Sequence, residues 1–232
     1  MRAQAPAWLV GGFALLVSAS GSLGQGTFQN LDFESANLSP VPGGQYGGFV
    51  PITNALPGWS GYIGANQVTT VLQNAEASGN ASIDILGPNW RFGGIIEGQY
   101  TVVLQPGLDP FGSDQNVGAS ISQSGVVPAS AQSLQFKAQT GSFSVSLGGQ
   151  NLSLIPLGTG ANYTLYGANI SPSFAGQFET LVIATLAAPS TTDYFDSIGF
   201  SSWSVPEPSA LGLSAFGALL LGWRVLRRRD EA

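Results

Sequence analysis

An all-β sandwich is the fold class that this sequence predicts. Apolar and polar residues alternate with period two in several places. Glycine- and proline-rich turns separate those runs. No stretch between Gln25 and Val205 keeps a convincing period of 3.6. Successive side chains of a strand point to opposite faces, so period two marks a strand with one face in a core. Many short strands with such turns between them favour two packed antiparallel sheets.

The elements follow in chain order. Pro42-Gly43, Pro57-Gly58 and Pro106-Gly107 mark turns. Ala65 to Ala75 is the best helical candidate. Gln99 to Leu104 reads as a strand with Tyr100, Val102 and Leu104 on one face. Leu134 to Ala138 and Phe143 to Leu147 alternate cleanly. Gly148-Gly149 then offers a tight turn into Leu152-Ser153-Leu154, which predicts a hairpin. Phe178 to Leu186 is apolar along most of its length, as for a strand covered on both faces. Ile198, Phe200 and Ser202 alternate in the last strand.

Both ends of the chain read as addresses. Met1-Arg2 supplies a positive charge, and Ala7 to Ala19 is apolar and uncharged. Ser22-Leu23-Gly24 puts small residues before Gln25. That pattern is a secretory signal peptide over 1–24, cleaved after Gly24. An uncleaved N-terminal anchor is the alternative. The other end runs Val205-Pro206-Glu207-Pro208, then an apolar stretch from Ala210 to Leu226, then Arg227-Arg228-Arg229. At about 1.5 Å per residue the apolar stretch spans roughly 25 Å as a helix, the short end of a membrane crossing. The arginines favour a cytoplasmic C-terminus and suit a membrane surface better than a buried core helix. Pro206 and Pro208 keep the preceding segment extended, as a protease requires. The predicted organisation is therefore 1–24, a domain over 25–204, and a tail over 205–232.

Composition excludes much chemistry. The chain has no cysteine and no histidine. Without disulfides, the domain stands on core burial or on a bound metal. Without histidine, Ser-His-Asp and Cys-His nucleophiles are absent, and so are most zinc sites. Between Gln25 and Val205 ten acids face two basic residues, Arg91 and Lys137. So acidic a surface does not attract nucleic acid or anionic lipid.

Two family resemblances emerge from these residues. Val205 to Arg229 resembles the PEP-CTERM sorting signal of Gram-negative, biofilm-forming bacteria. The resemblance implies secretion across the inner membrane, transient anchoring there, and processing by the intramembrane protease exosortase at Pro-Glu-Pro. It also implies a destination at the cell surface or in the exopolysaccharide. Asn30-Leu31-Asp32-Phe33-Glu34, Pro57-Gly58-Trp59, Ile121-Ser122-Gln123 and Asp196-Ser197-Ile198-Gly199-Phe200 stand in the order of the galactose-binding-like jelly rolls. Many carbohydrate-binding modules are among these. The second resemblance implies a jelly-roll sandwich, with the Asn30–Glu34 segment as its opening strand.

The candidate sites divide by chemistry. If the opening segment is a strand, Asp32 and Glu34 share a face. The jelly-roll resemblance implies a structural calcium held by Glu34 and Asp196, with Asp32 and Asp193 as further candidates. Calcium wants six to eight oxygens. The alternative is that these acids are solvated or bonded to backbone N–H groups. Trp59, Trp90 and Tyr62 could stack on a sugar ring. Trp59, beside Pro57-Gly58, also reads as a core plug. A glycosidase needs two carboxylates across a cleft, and the spacing of Asp84, Glu97, Asp109, Asp114 and Glu179 singles out no pair. The reading is a non-enzymatic, exported protein that associates with matrix polysaccharide. A specific carbohydrate-binding module is the first alternative and a hydrolase the second. Glu207→Ala should leave an uncleaved, membrane-retained species, seen by fractionation and immunoblotting. Normal release of that variant would remove the sorting reading.

Overall fold

The structure, a computed structural model, describes residues 26–43, 45–75, 79–90, 92–140, 142–187 and 192–206. The expected signal peptide over 1–24, Glu207, Pro208 and the arginine-ended apolar tail lie outside the described residues. Among the described residues no helix is long and apolar enough to cross a membrane.

Two sheets pack face to face, as the sandwich reading requires. The larger contains β1 (Phe49–Pro51), β4 (Thr70–Gln73), β5 (Ser82–Leu86), β6 (Thr101–Gln105), β10 (Ser133–Gln139), β13 (Ile155–Thr159), β14 (Thr164–Asn169) and β16 (Asp193–Ser201). Their spatial order is β1-β4-β5-β6-β16-β10-β14-β13. The smaller contains β2 (Ser60–Ile63), β3 (Asn66–Val68), β9 (Ala119–Val126), β11 (Phe143–Leu147), β12 (Gln150–Asn151) and β15 (Phe178–Thr185), in the order β12-β11-β15-β9-β2-β3. A small ribbon joins β7 (Gly107–Leu108) to β8 (Asn116–Val117). From β9 to β11, and again from β14 to β16, the chain changes sheet with each strand. That alternation is the jelly-roll habit.

Apolar positions of both sheets meet between them. β10 sends Leu134, Phe136 and Ala138 inward, β9 sends Ala119 and Ile121, and β15 sends Leu181 and Ile183, all buried. Phe143 and Phe195 meet edge to face at 4.9 Å between ring centroids, and Phe136 stacks on Tyr166 at 5.7 Å. Such ring pairs add to their area burial. Gly61 on β2 faces the other sheet, and a Cβ there would stand 2.7 Å from Ile83 and 2.8 Å from Ile52. The missing side chain leaves room there for Ile83 and Ile52.

Several local expectations are corrected. The 65–75 segment, the best helical candidate, forms β3 and β4 instead; its regular partners are strands β2, β1 and β5. Among the described residues the α-helix is a single turn, α1 (Ile52–Ala55), and Pro172–Phe174 forms a 3-10 turn. Asn30–Glu34, expected as a strand, is a run of turns, with Asn30 at φ 48° and Phe33 at φ 60°. Phe33 still plugs the core, and Ile198 N–H donates to Leu31 O at 2.9 Å, which ties the segment to the closing strand. The Gly148-Gly149 turn is present, but its return strand is Gln150–Asn151, earlier than Leu152–Leu154. β15 is covered on one face only, because its burial alternates along most of its length.

The fully buried Phe136 gives the fold its test. Phe136→Ala should cost about 3–5 kcal/mol, against a total stability of about 5–15 kcal/mol for an ordinary domain. A urea titration followed by fluorescence should show a large fall in midpoint.

Candidate functional site

The acids of the opening and closing segments do come together, through a loop. β16 carries an extra residue opposite β10, because Gln135 pairs with Gly199 while Lys137 pairs with Asp196. The bulge lies around Ser197, whose φ is 50°. It keeps Phe195 and Ile198 in the core and turns Asp196 to the outer side of the sheet. There Asp196 Oδ2 accepts from Glu97 N–H at 3.1 Å and from Thr101 Oγ1 at 2.8 Å, and Oδ1 accepts from Ser197 N–H at 2.6 Å. Glu34 Oε1 accepts from Gln99 N–H at 2.9 Å and Tyr100 N–H at 3.0 Å. Gly98 lies immediately before these donors at φ +61°, and a Cβ there would come within 2.6 Å of the Glu34 carboxyl carbon. The Glu97 carboxylate pairs with Lys137 Nζ at 2.5 Å and accepts from the Ser197 hydroxyl. Loop 96–101 is thus fastened by carboxylates from both ends of the domain.

The charges reflect these contacts. Burial, opposed by the Thr101, Glu97 and Ser197 donors, pushes Asp196 up to about 6, and the nearby Glu34 charge adds to the rise. Burial also raises Asp193, which accepts from Thr140 Oγ1 at 2.9 Å and Ser142 N–H at 3.3 Å. The Lys137 hydrogen bond lowers Glu97. The donor set does not fit calcium as arranged. Glu34 Oε1 and both oxygens of Asp196 already accept N–H or O–H donors, which leaves fewer lone pairs for the six to eight oxygen contacts that calcium wants. Asp32 Oδ1 accepts from Glu34 N–H at 3.3 Å. Among the described residues no group of three or more acids is placed to hold a metal ion.

The aromatic candidates separate. Trp59 is 5% exposed, donates Nε1–H to Asn30 O at 3.0 Å and packs on Phe33. Its faces are covered, so it serves as a core plug rather than a stacking platform. Trp90 is half-buried and joins Tyr46 (57% exposed) and Phe92 (59% exposed) in an open trio with centroids 5.2–6.3 Å apart. Tyr62 lies on β2, half-buried, on the outer face of the six-stranded sheet.

That outer face escaped the sequence reading. Its positions include Ser60, Tyr62, Gln67, Ser120, Ser122, Ser124, Ser144, Ser146 and Thr180. Ser122 stands opposite Ser60 on one side and Val182 on the other. The Ser124 and Thr180 hydroxyls are 2.7 Å apart. Outward positions of the six strands hold no Asp, Glu, Lys or Arg; Glu179 alternates to the other side, toward Gly148 and Phe174. The signal was present in Ile121-Ser122-Gln123-Ser124 and Ser144-Val145-Ser146, where the polar partner of each apolar residue is a small hydroxyl.

Comparisons with known proteins locate one motif. Residues 204–229 match the PEP-CTERM protein-sorting motif. The motif marks the chain for export through a membrane-anchored intermediate that exosortase processes. No curated protein matches the chain. Among solved structures, the apo form of a cyclase from Fischerella sp. is similar at 15% identity and TM-score 0.45, covering 75% of this chain and 93% of that one. The enzymatically active domain of bacteriophage CBA120 tailspike protein 4 is similar at 10% identity and TM-score 0.36, covering 62% of this chain and 20% of that one.

The buried carboxylate makes stability depend on pH. Asp196 holds its proton up to about pH 6 when folded, but only to about 3.9 when unfolded. Between those values the folded state binds more protons, so this group's contribution to stability falls as pH rises from about 4 to 6. Asp193 acts in the same direction. Asp196→Asn should flatten much of that slope in melting curves measured between pH 4 and 7. Adding a chelator to the wild type should leave the curves unchanged.

Proposed function

We propose that this is a non-catalytic β-sandwich that associates with neutral exopolysaccharide at the cell surface or in the extracellular matrix after sorting. The observation that supports this reading is the outer face of the six-stranded sheet. Hydroxyls both donate and accept, so they can pair with sugar hydroxyls in many orientations. A charge-free face also avoids the cost of desolvating ions on binding. Neighbouring strands are about 4.8 Å apart and same-face residues about 6.8 Å apart along a strand. The hydroxyls therefore form a flat array suited to an extended polymer, with Tyr62 as an aromatic contact within it. Ten acids against two bases in the 25–205 region disfavour an acidic polymer.

A second reading is favoured by the open trio of Tyr46, Trp90 and Phe92. An aromatic cluster of this kind suits the apolar face of one sugar, as in a specific carbohydrate-binding module. The two readings part under mutation. Ser122→Lys with Ser146→Lys should reduce co-sedimentation of residues 25–206 with neutral polysaccharide by about tenfold, with little change in melting temperature. Trp90→Ala should leave it unchanged. The reverse pattern would support the module, and turnover of any glycan would overturn both.

A further inference from the structure

The sorting motif begins inside the folded domain. Residues 204–206 belong to both the motif and the described structure. Val205 is 3% exposed. Asn169, at the end of β14, grips its backbone from both sides. Asn169 Oδ1 accepts from Val205 N–H at 2.6 Å, and Asn169 Nδ2 donates to Val205 O at 2.9 Å. The Val205 side chain lies over Gly167, where an added Cβ would stand 2.8 Å from it and 2.7 Å from Leu157. Just upstream, the Ser133 hydroxyl donates to Trp203 O at 2.7 Å. The segment is thus fastened at Trp203 and again at Val205.

We propose that Asn169 is a brake on sorting: it withholds the backbone of Val205 from exosortase, and processing proceeds when this clamp opens. The argument is one of available backbone groups. An extended peptide is commonly taken by a partner through its N–H and C=O groups. Pro206 has no N–H to offer. Val205 has both groups engaged by Asn169. Val205 and Pro206 therefore present no free N–H while the clamp is shut. The amide side chain supplies an acceptor and a donor on two separate atoms, one for each backbone group of Val205; aspartate keeps the acceptor alone and alanine neither. Asn169 is accordingly a positioning residue, acting through Val205. The inference rests on the motif and this contact, and is independent of what the hydroxyl face binds.

The test uses the full chain in a cell that carries exosortase, with pulse–chase measurement of the membrane-retained precursor. Asn169→Ala should speed loss of the precursor on the order of tenfold, as expected from losing two hydrogen bonds. Asn169→Asp should lie between the two. A four-residue Gly-Ser-Gly-Ser insertion between Val205 and Pro206 leaves the clamp shut but gives the motif a free approach. It should accelerate processing equally, and Asn169→Ala should add nothing to it. If Asn169→Ala prevents folding, the insertion alone decides. Unchanged processing of the insertion chain would overturn the proposal. So would a further acceleration by Asn169→Ala in that chain, because the effect would then come from loosening the domain.

Discussion

The eight-stranded sheet is joined through its last strand. β16 pairs with β6 on one side and β10 on the other. Strands β1, β4, β5 and β6 lie on one flank, and β10, β14 and β13 on the other. Neither flank is connected to the other until residues 193–201 are in place. The core has the same dependence, because Phe195 and Ile198 of β16 complete the cluster around Phe136 and Phe143. With no cysteine in the chain, no covalent link can hold the flanks together beforehand. Contacts so distant in sequence form late and slowly, so the sandwich closes only when nearly the whole domain has been delivered.

That central strand also carries a buried carboxylate, held against the cost of desolvation. Asp196 is buried, and three donors oppose but do not cancel the effect of desolvation on its charge. What it gains is control of loop 96–101, which brings Glu97, Gln99 and Tyr100 N–H groups onto carboxylates from opposite ends of the chain. A hydrophobic residue at 196 would leave Glu97 N–H and Thr101 without this acceptor, and unpaired buried donors are costly. The Ser197 bulge is the geometric device that allows it. Without the extra residue, Asp196 and Ile198 would face the same side of the sheet, and one would occupy the other's environment.

The sequence made the strands with strict alternation legible, because their pattern follows from burial on one face. Phe143–Leu147 was found with its observed ends, and β10 within one or two residues. The misreadings share a cause. Residues 65–75 alternate poorly because β3 is a short edge strand, so the period carries little information there. Asn30–Glu34 kept its core contact at Phe33 but lost its strand, since left-handed turns at Asn30 and Phe33 leave no trace in a hydrophobicity pattern. The pairing of Glu34 and Asp196 with one loop depended on a tertiary contact, and the jelly-roll resemblance brought the two acids near each other while naming a different occupant. The Asn169 clamp could not be read at all. An asparagine at a strand end is ordinary until the residue 36 positions later is seen against it.

The two faces of the sandwich divide the work in space. The acids Asp84, Asp193 and Asp196 lie on strands of the eight-stranded sheet, and Glu97 bonds to β10 and β16. The tail leaves across the same sheet, with Val205 over Gly167 and gripped by Asn169 near the β13 edge. The hydroxyl face belongs to the other sheet and points the opposite way. A chain anchored through its tail therefore need not bring that face against the membrane. On the tail-side sheet Lys137 is paired with Glu97, so it does not draw the domain toward anionic head groups. Attachment as proposed would then use a surface that the tail leaves free.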